Sequence, residues 1–379
     1  MKERGRLQIS LWLPALLFAG CLSAAAQDGP RGITTPEVLP PFNPLAAACS
    51  PPPGLQKVLT FAQDNERQFM QGVARGLADA AKKRGLEFRA VLADNDPKKM
   101  IEQVSAQLAE KVGAVVAAPV HPPSLAPFLQ QLIWSGAYVG TVVPPPAVTI
   151  LNAPQYLTGR VLAEAAAAYI RDNLKNKAKV VLLTHDSLQF LSPRFAAMRD
   201  VLQEMPGVAI VADISPLTVN KEGGHAMMRK ILLAHPDIDV VLGADTVVLG
   251  ALQALRETKK ARPNQFLGGI DGEPEAVSEI KSGNSPYKAS VSLSSPVFGY
   301  ALGHYAADWL EGKSVPQAMD ILPSLLTRQN IAQYEADFAD PAAVFADAKR
   351  RDAYLKMYGN ICYETRERYL NFPWSSERK

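Results

Sequence analysis

The sequence predicts an α/β protein of two Rossmann-like, doubly wound parallel-sheet lobes. Three observations predict it. Short apolar runs alternate with amphipathic segments through residues 57–143, the repetition of a parallel sheet covered by helices on both faces. Pro144-Pro145-Pro146 stops that repetition, and the same plan restarts near Tyr156. Finally, Gly243-Ala244-Asp245 and Gly269-Ile270-Asp271-Gly272 each carry a strand into a lone aspartate and then a helix, and open α/β sheets bind ligands just beyond such strand ends.

The first set of elements begins at Lys57–Phe61, which reads as a strand, and Phe69, Val73, Leu77 and Ala81, each four residues apart, mark a helix. Phe88–Ala93 is a strand, and Asp96-Pro97 opens a helix with aspartate as N-cap and proline at the first position. Its apolar stripe is Met100 or Ile101, Val104, Leu108 and Val112. Strand Gly113–Pro119, helix Leu125–Trp134 and strand Ala137–Val143 complete the first set. After the prolines come helix Tyr156–Leu174, strand Lys179–Thr184, helix Arg194–Met205 and strand Val208–Asp213. A helix ending near His235 leads to strand Asp239–Gly243. Phe266–Asp271 and Tyr287–Leu293 read as strands returning to the first sheet. Residues 331–379 form a charged, helical-looking tail.

The ends of the chain have their own character. Lys2, Arg4 and Arg6, the apolar run Leu11–Ala19 and Ala24-Ala25-Ala26 form an export signal over residues 1–26. The run is too short for a stable membrane span. Leu17-Phe18-Ala19-Gly20-Cys21 resembles a bacterial lipoprotein box, with Phe18 where leucine is usual, so cleavage after Ala26 and lipidation of Cys21 both stay open. Residues 27–56 hold a cluster of prolines without period and read as an extended, semi-rigid leader. Removing the signal takes away three cations and one anion, which lowers the formal net charge from +3 to +1. That balance argues against a nucleic-acid or anionic-membrane partner. Cleavage at Ala26 leaves Cys49 and Cys362, which in an exported protein either pair or stay as two thiols.

No catalytic or metal motif emerges. The chain has no Gly-x-Gly-x-x-Gly after its first strand, no phosphate loop, no Gly-x-Ser-x-Gly elbow and no His-Glu-x-x-His. His121, His185, His225, His235 and His304 lack metal-ligand spacing. No cofactor is implied, and the chain is read as a non-enzyme.

The segments Glu66-Arg67-Gln68-Phe69, Asp94-Asn95-Asp96-Pro97, Ala118-Pro119-Val120-His121, Arg194, Gly243-Ala244-Asp245 with Leu249-Gly250-Ala251, and Gly269-Ile270-Asp271-Gly272 with Glu275-Ala276-Val277 carry a family resemblance. From Val58 to about Arg328 the chain resembles the type I periplasmic sugar-binding proteins that feed ABC importers. The resemblance implies their fold, two lobes joined by a multi-strand hinge, with lobes at 57–145 plus 266–293 and at 146–265 plus 294–330. It implies a monomeric periplasmic receptor that closes on a small polar ligand, a sugar or polyol, and docks on an ABC permease. Alternatives within that fold are a receptor for a sensor kinase or chemoreceptor, or a binder of a non-carbohydrate molecule. Carried over by position, Phe69 lies against a sugar face and Arg67 reaches a hydroxyl. Arg194 presents its planar fork to two oxygens. Asp245 and Asp271 accept from hydroxyl pairs, and His121 is a further polar contact. A buried polyol needs such partners for its hydroxyls. Against this stands the plain reading that each aspartate caps the helix after it. Three departures stand out: Ala244 replaces a common asparagine, Leu293 a common glutamine, and Val142-Val143-Pro144 a frequent Asp-Arg. A pocket with fewer hydrogen-bonding groups suits a smaller, less hydroxylated or partly apolar ligand. A helix-turn-helix regulator built on the same core is excluded, because the signal and leader occupy its DNA-binding position.

Overall fold

The computed structural model describes residues 29–142, 145–185 and 189–377. The export signal with Cys21, and the Val143-Pro144 departure, lie outside the described residues. Residues 31–379 form one compact body.

The first lobe opens with β1 (Gln56–Gln63), α1 (Gln68–Arg84), β2 (Glu87–Leu92), α2 (Pro97–Ala109), β3 (Val112–Ala117), α3 (Pro122–Ser135), β4 (Tyr138–Val142) and β5 (Thr149–Asn152). Its central strands are apolar on both faces because helices cover both: Leu59, Phe61, Ala114, Val115 and Val116 are buried. α1 buries Val73, Leu77 and Ala81 and ends at Gly85 in the left-handed region, just after three cations that suit a helix C-terminus. α2 begins as the sequence predicts, with the Asp96 carboxylate accepting from the backbone N–H groups of Lys98 and Lys99 and Pro97 at the first position.

The second lobe contains α4 (Gln155–Asn173), β6 (Ala178–Leu183), α5 (Ser192–Gln203), β7 (Val208–Ile214), α6 (Lys221–Ala234), β8 (Val240–Gly243), α7 (Asp245–Glu257), β9 (Phe266–Asp271), α8 (Pro274–Ser282) and β10 (Tyr287–Ser292). The chain then returns to the first lobe with α9 (Ser295–Leu310) and β11 (Ala318–Ile321), and crosses again to β12 (Ser324–Leu326). The sheet orders are β13-β11-β5-β4-β3-β1-β2 and β12-β10-β9-β8-β6-β7, where β13 is Leu355–Tyr358. All pairings are parallel except β11–β13 and β10–β12.

This order corrects the predicted lobe composition. β9 and β10 do not return to the first sheet. They extend the second one beside β8, because each is joined to the preceding strand by a single crossover helix that packs on the same sheet. It is α9, with Val297, Phe298 and Trp309 in the first-lobe core, that makes the return. α9 lies so close to α1 that a Cβ on Gly76 would fall 2.2 Å from the Pro296 carbonyl oxygen.

The tail and the leader also differ from expectation. α10 (Ile331–Ala339), α11 (Pro341–Ala346) and α12 (Ala348–Tyr354) are helical as predicted, but the chain then forms β13 at the edge of the first sheet. The described leader residues form no helix, yet they are no free spacer. Ile33 N–H donates to the Tyr369 carbonyl, Phe42 N–H to that of Met357, and Gly359 N–H to that of Pro40. Leu39 joins Ala147, Ile150, Ala318, Leu370, Phe372 and Trp374 in a small core of their own. Cys49 and Cys362 are bonded, with Cα atoms 6.3 Å apart. The leader covers a sheet edge that would otherwise be exposed. Among the described residues no helix is long and apolar enough to cross a membrane.

Candidate functional site

The C-terminal ends of β8 and β9 bring three carboxyl groups together, and each has a different environment. Asp245 is the first residue of α7 and is completely buried. It does not cap the helix; Ala244 holds that position. Its carboxylate accepts from Tyr287 Oη at 2.6 Å, from Ser290 Oγ at 2.9 and 2.7 Å, and from the Glu273 backbone N–H at 2.8 Å. A carboxylate with its oxygens so occupied has little left to offer a hydroxylated ligand. Asp245 is therefore an internal anchor that ties α7, β10 and the β9–α8 loop together, which corrects the expectation that it accepts from a ligand. Burial pushes its pKa up to about 6, against the lowering effect of the Tyr287 hydroxyl.

Asp271 is the last residue of β9. It sits at φ 121°, a backbone region that non-glycine residues rarely adopt, and strain of this kind persists where the surroundings enforce it. It does not cap α8, whose N-cap is Glu273. Among the described residues none donates a hydrogen bond to its carboxylate. Burial raises its pKa, and the positive charges of Arg194 and then Arg67 oppose that rise. The arginines approach from opposite lobes. Arg194, in the first turn of α5, is 6% exposed, with Nε donating to Gln155 Oε1 at 3.0 Å. Burial lowers its pKa while Asp271 opposes the change. Arg67 precedes α1; its side chain is 54% exposed and pairs with Asp64 at 3.0 Å. Glu273 completes the group: burial first, then the charges of Asp271 and Asp245, push its pKa up to about 8.

Arg67, Arg194 and Asp271 are thus linked through charge, with the two arginines on opposite lobes. Phe69 is half-buried on the first-lobe core with its ring 5.7 Å from that of Phe298. His121 is not drawn into the group. It is exposed, precedes α3, and its Nδ1 lies 3.0 Å from Ser124 Oγ, so its contacts are local. Of the three departures, Leu293 is 4% exposed within the first-lobe core, Val142 packs on that core, and Ala244 packs on the second-lobe core.

Glu273, Gln155 and the Asp245 partners were not foreseen. Tyr287 and Ser290 are three apart on one strand, which simple alternation places on opposite faces. A bulge in β10 against β9, between Tyr287 and Ala289, brings both hydroxyls to Asp245. Gly269 leaves room for this arrangement, since a Cβ there would fall 1.9 Å from Asp245 Oδ1. The one grouping of three potential metal ligands among the described residues is Cys49, Cys362 and Glu364, and its two sulfurs are in the disulfide.

Residues 58–314 match the family model described as periplasmic binding protein domain. The chain is 27% identical over 272 residues to the ribose import binding protein RbsB of Bacillus subtilis, covering 69% of this chain and 84% of that protein. Among solved structures it is similar to an ABC transporter solute binding protein from Bacillus halodurans with bound myo-inositol: TM-score 0.65, 21% identity, 74% of this chain and 98% of the other. It is also similar to a 5-methylthioribose transporter solute binding protein from Thermotoga lettingae in complex with 5-methylthioribose: TM-score 0.66, 20% identity, 80% of this chain and 98% of the other.

Proposed function

Because the chain belongs to the periplasmic binding protein domain family, whose members bind substrates and are not enzymes, we propose that it is an exported receptor that closes two lobes on a small sugar- or polyol-like ligand and delivers it to an ABC importer from the periplasm. The observation that carries the reading is Asp271. Its backbone is strained, no described donor occupies its carboxylate oxygens, and the charges of Arg194 on its own lobe and Arg67 on the other lobe act on it. In that reading Asp271 accepts from a pair of ligand hydroxyls, and the two arginines donate to ligand oxygens. Phe69 offers a ring face to the ligand's apolar side.

Ala244, Leu293 and Val142 pack on the lobe cores and supply no polar contact, which favours a ligand with fewer hydroxyls. Two similar proteins bracket this class: one holds myo-inositol and the other 5-methylthioribose, a pentose with an apolar tail. Ligand binding to the native state raises the thermal midpoint in proportion to the logarithm of ligand excess. A thermal-shift screen of the purified protein against pentoses, hexoses, cyclitols and thiomethyl or deoxy sugars tests the reading. A rise with a member of this panel, lost in Asp271→Ala, supports it. A rise only with small acids or aromatic metabolites overturns the carbohydrate class.

A further inference from the structure

The matched family segment ends at residue 314, and the chain beyond it makes a connection between the lobes that the three crossings after β5, β10 and β11 do not supply. α10 docks on the second lobe: Ile331 and Tyr334 enter its core, and Lys281 of α8 pairs with Glu335 at 2.8 Å. One residue later α11 docks on the first lobe, with Ala342, Val344 and Phe345 in that core. The junction is Asp340 alone, whose carboxylate accepts from Ala343 N–H at the start of α11. A single residue spans less than ~4 Å, so the two docked helices cannot part without one of them leaving its lobe. Asp337 of α10 reinforces the link, accepting from Tyr354 Oη at 2.6 Å and from Arg350, both on α12. Arg75 of α1 adds a direct inter-lobe contact, its guanidinium carbon 4.6 Å from the centre of the Phe338 ring.

The same helix reaches the ligand loop. Tyr334 Oη donates to the Gly272 carbonyl at 3.2 Å and accepts from Ser292 Oγ at 3.1 Å. Ser292 Oγ in turn accepts from Ser294 N–H at 2.9 Å, in the β10–α9 crossing. A buried relay therefore runs from an inter-lobe crossing, through the tail, to the residue between Asp271 and Glu273. Gly272 has φ 70°, and a Cβ there would fall 2.8 Å from Tyr334 Oη, so the loop and the tyrosine are closely fitted.

We propose that the C-terminal strap is a fourth inter-lobe connection and that Tyr334 is a positioning residue, holding the Asp271–Glu273 loop in its ligand-ready conformation. The ligand-ready part rests on the proposed receptor function; the loop-holding part does not. Tyr334→Phe removes the hydroxyl and keeps the ring in the core. Hydrogen exchange on the ligand-free protein should show the Gly272 and Glu273 amides exchanging at least tenfold faster in this variant, with β8 amides unchanged. A flexible Gly-Ser linker inserted after Asp340 should widen the small-angle scattering envelope of the ligand-free protein. Where D-ribose or myo-inositol binds the wild type, Tyr334→Phe should weaken it about tenfold, with Asp271 intact. Unchanged loop exchange in Tyr334→Phe overturns the positioning role, and an unchanged envelope in the linker-inserted variant overturns the strap. Faster loop exchange with no binding of any carbohydrate by the wild type upholds the positioning role and rejects the sugar-receptor reading.

Discussion

Tyr287 Oη lies 2.6 Å from Asp245 Oδ1, and the two residues lock a strand of the second sheet to the helix that succeeds β8. The bond is buried, and Ser290 and the Glu273 backbone share the same carboxylate. This constellation holds the loop that follows Asp271.

Asp245→Ala should therefore act on stability. It strands one phenol, one hydroxyl and one amide in the interior, each costing about 1–3 kcal/mol when left unpaired. Urea unfolding should show a loss of roughly 3–5 kcal/mol, at the upper end for single substitutions. Asp245→Asn, which keeps an acceptor, should lose less.

Asp271→Asn should do the opposite. With no donor on its carboxylate among the described residues, stability should change by less than about 1 kcal/mol. Binding should weaken by about 1.5–3 kcal/mol for the lost charge-assisted contact. Isothermal titration with the ligand found by thermal shift separates the two effects. Asp271→Gly should restore an unstrained φ and raise the thermal midpoint while still failing to bind.

Glu273 makes stability depend on pH. Its folded pKa of about 8 lies above the 4.5 of an ordinary glutamate, so between those values the folded chain holds a proton that the unfolded chain has released. Stability then falls as pH rises through this window and levels off above it. Glu273→Gln removes the slope. The midpoint of the variant should match wild type near pH 4.5 and exceed it by a widening margin up to pH 8; parallel curves across that range would refute the assignment.

Removing the disulfide with Cys49→Ser should cost about 2–4 kcal/mol. The chain-entropy expression for a separation of 313 residues allows roughly 6. The measured loss should be smaller, because leader–tail hydrogen bonds already hold the loop shut. Chemical denaturation of oxidised and reduced protein checks this, and trypsin should cut the leader at Arg31 faster in the variant.

Much of the scaffold was legible because its signals are local. Asp96-Pro97 announces a helix start, and the four-residue spacing of Val73, Leu77 and Ala81 announces a buried stripe. The strand ends at Asp245 and Asp271 were found for the same reason. What was illegible depends on distant pairing. The sheet to which β9 and β10 belong is decided by neighbours, and their apolar runs look alike in either sheet. β5 and β11, four residues each, are too short to show a period. The two aspartates look equivalent in sequence; a strand bulge and the glycine at 269 give one of them a full set of donors and leave the other open.

The join between leader and tail changes what counts as the minimal folding unit. β11 lies beyond residue 314 and supplies the parallel neighbour of β5, and β13 covers β11 in turn. A fragment trimmed to residues 58–314 would end on a raw strand at β5, with Ile150 stripped of Ala318, Leu370 and Trp374. Such an edge recruits other chains. A chain that keeps β11, β13 and the leader pairs that strand and covers its edge within one molecule.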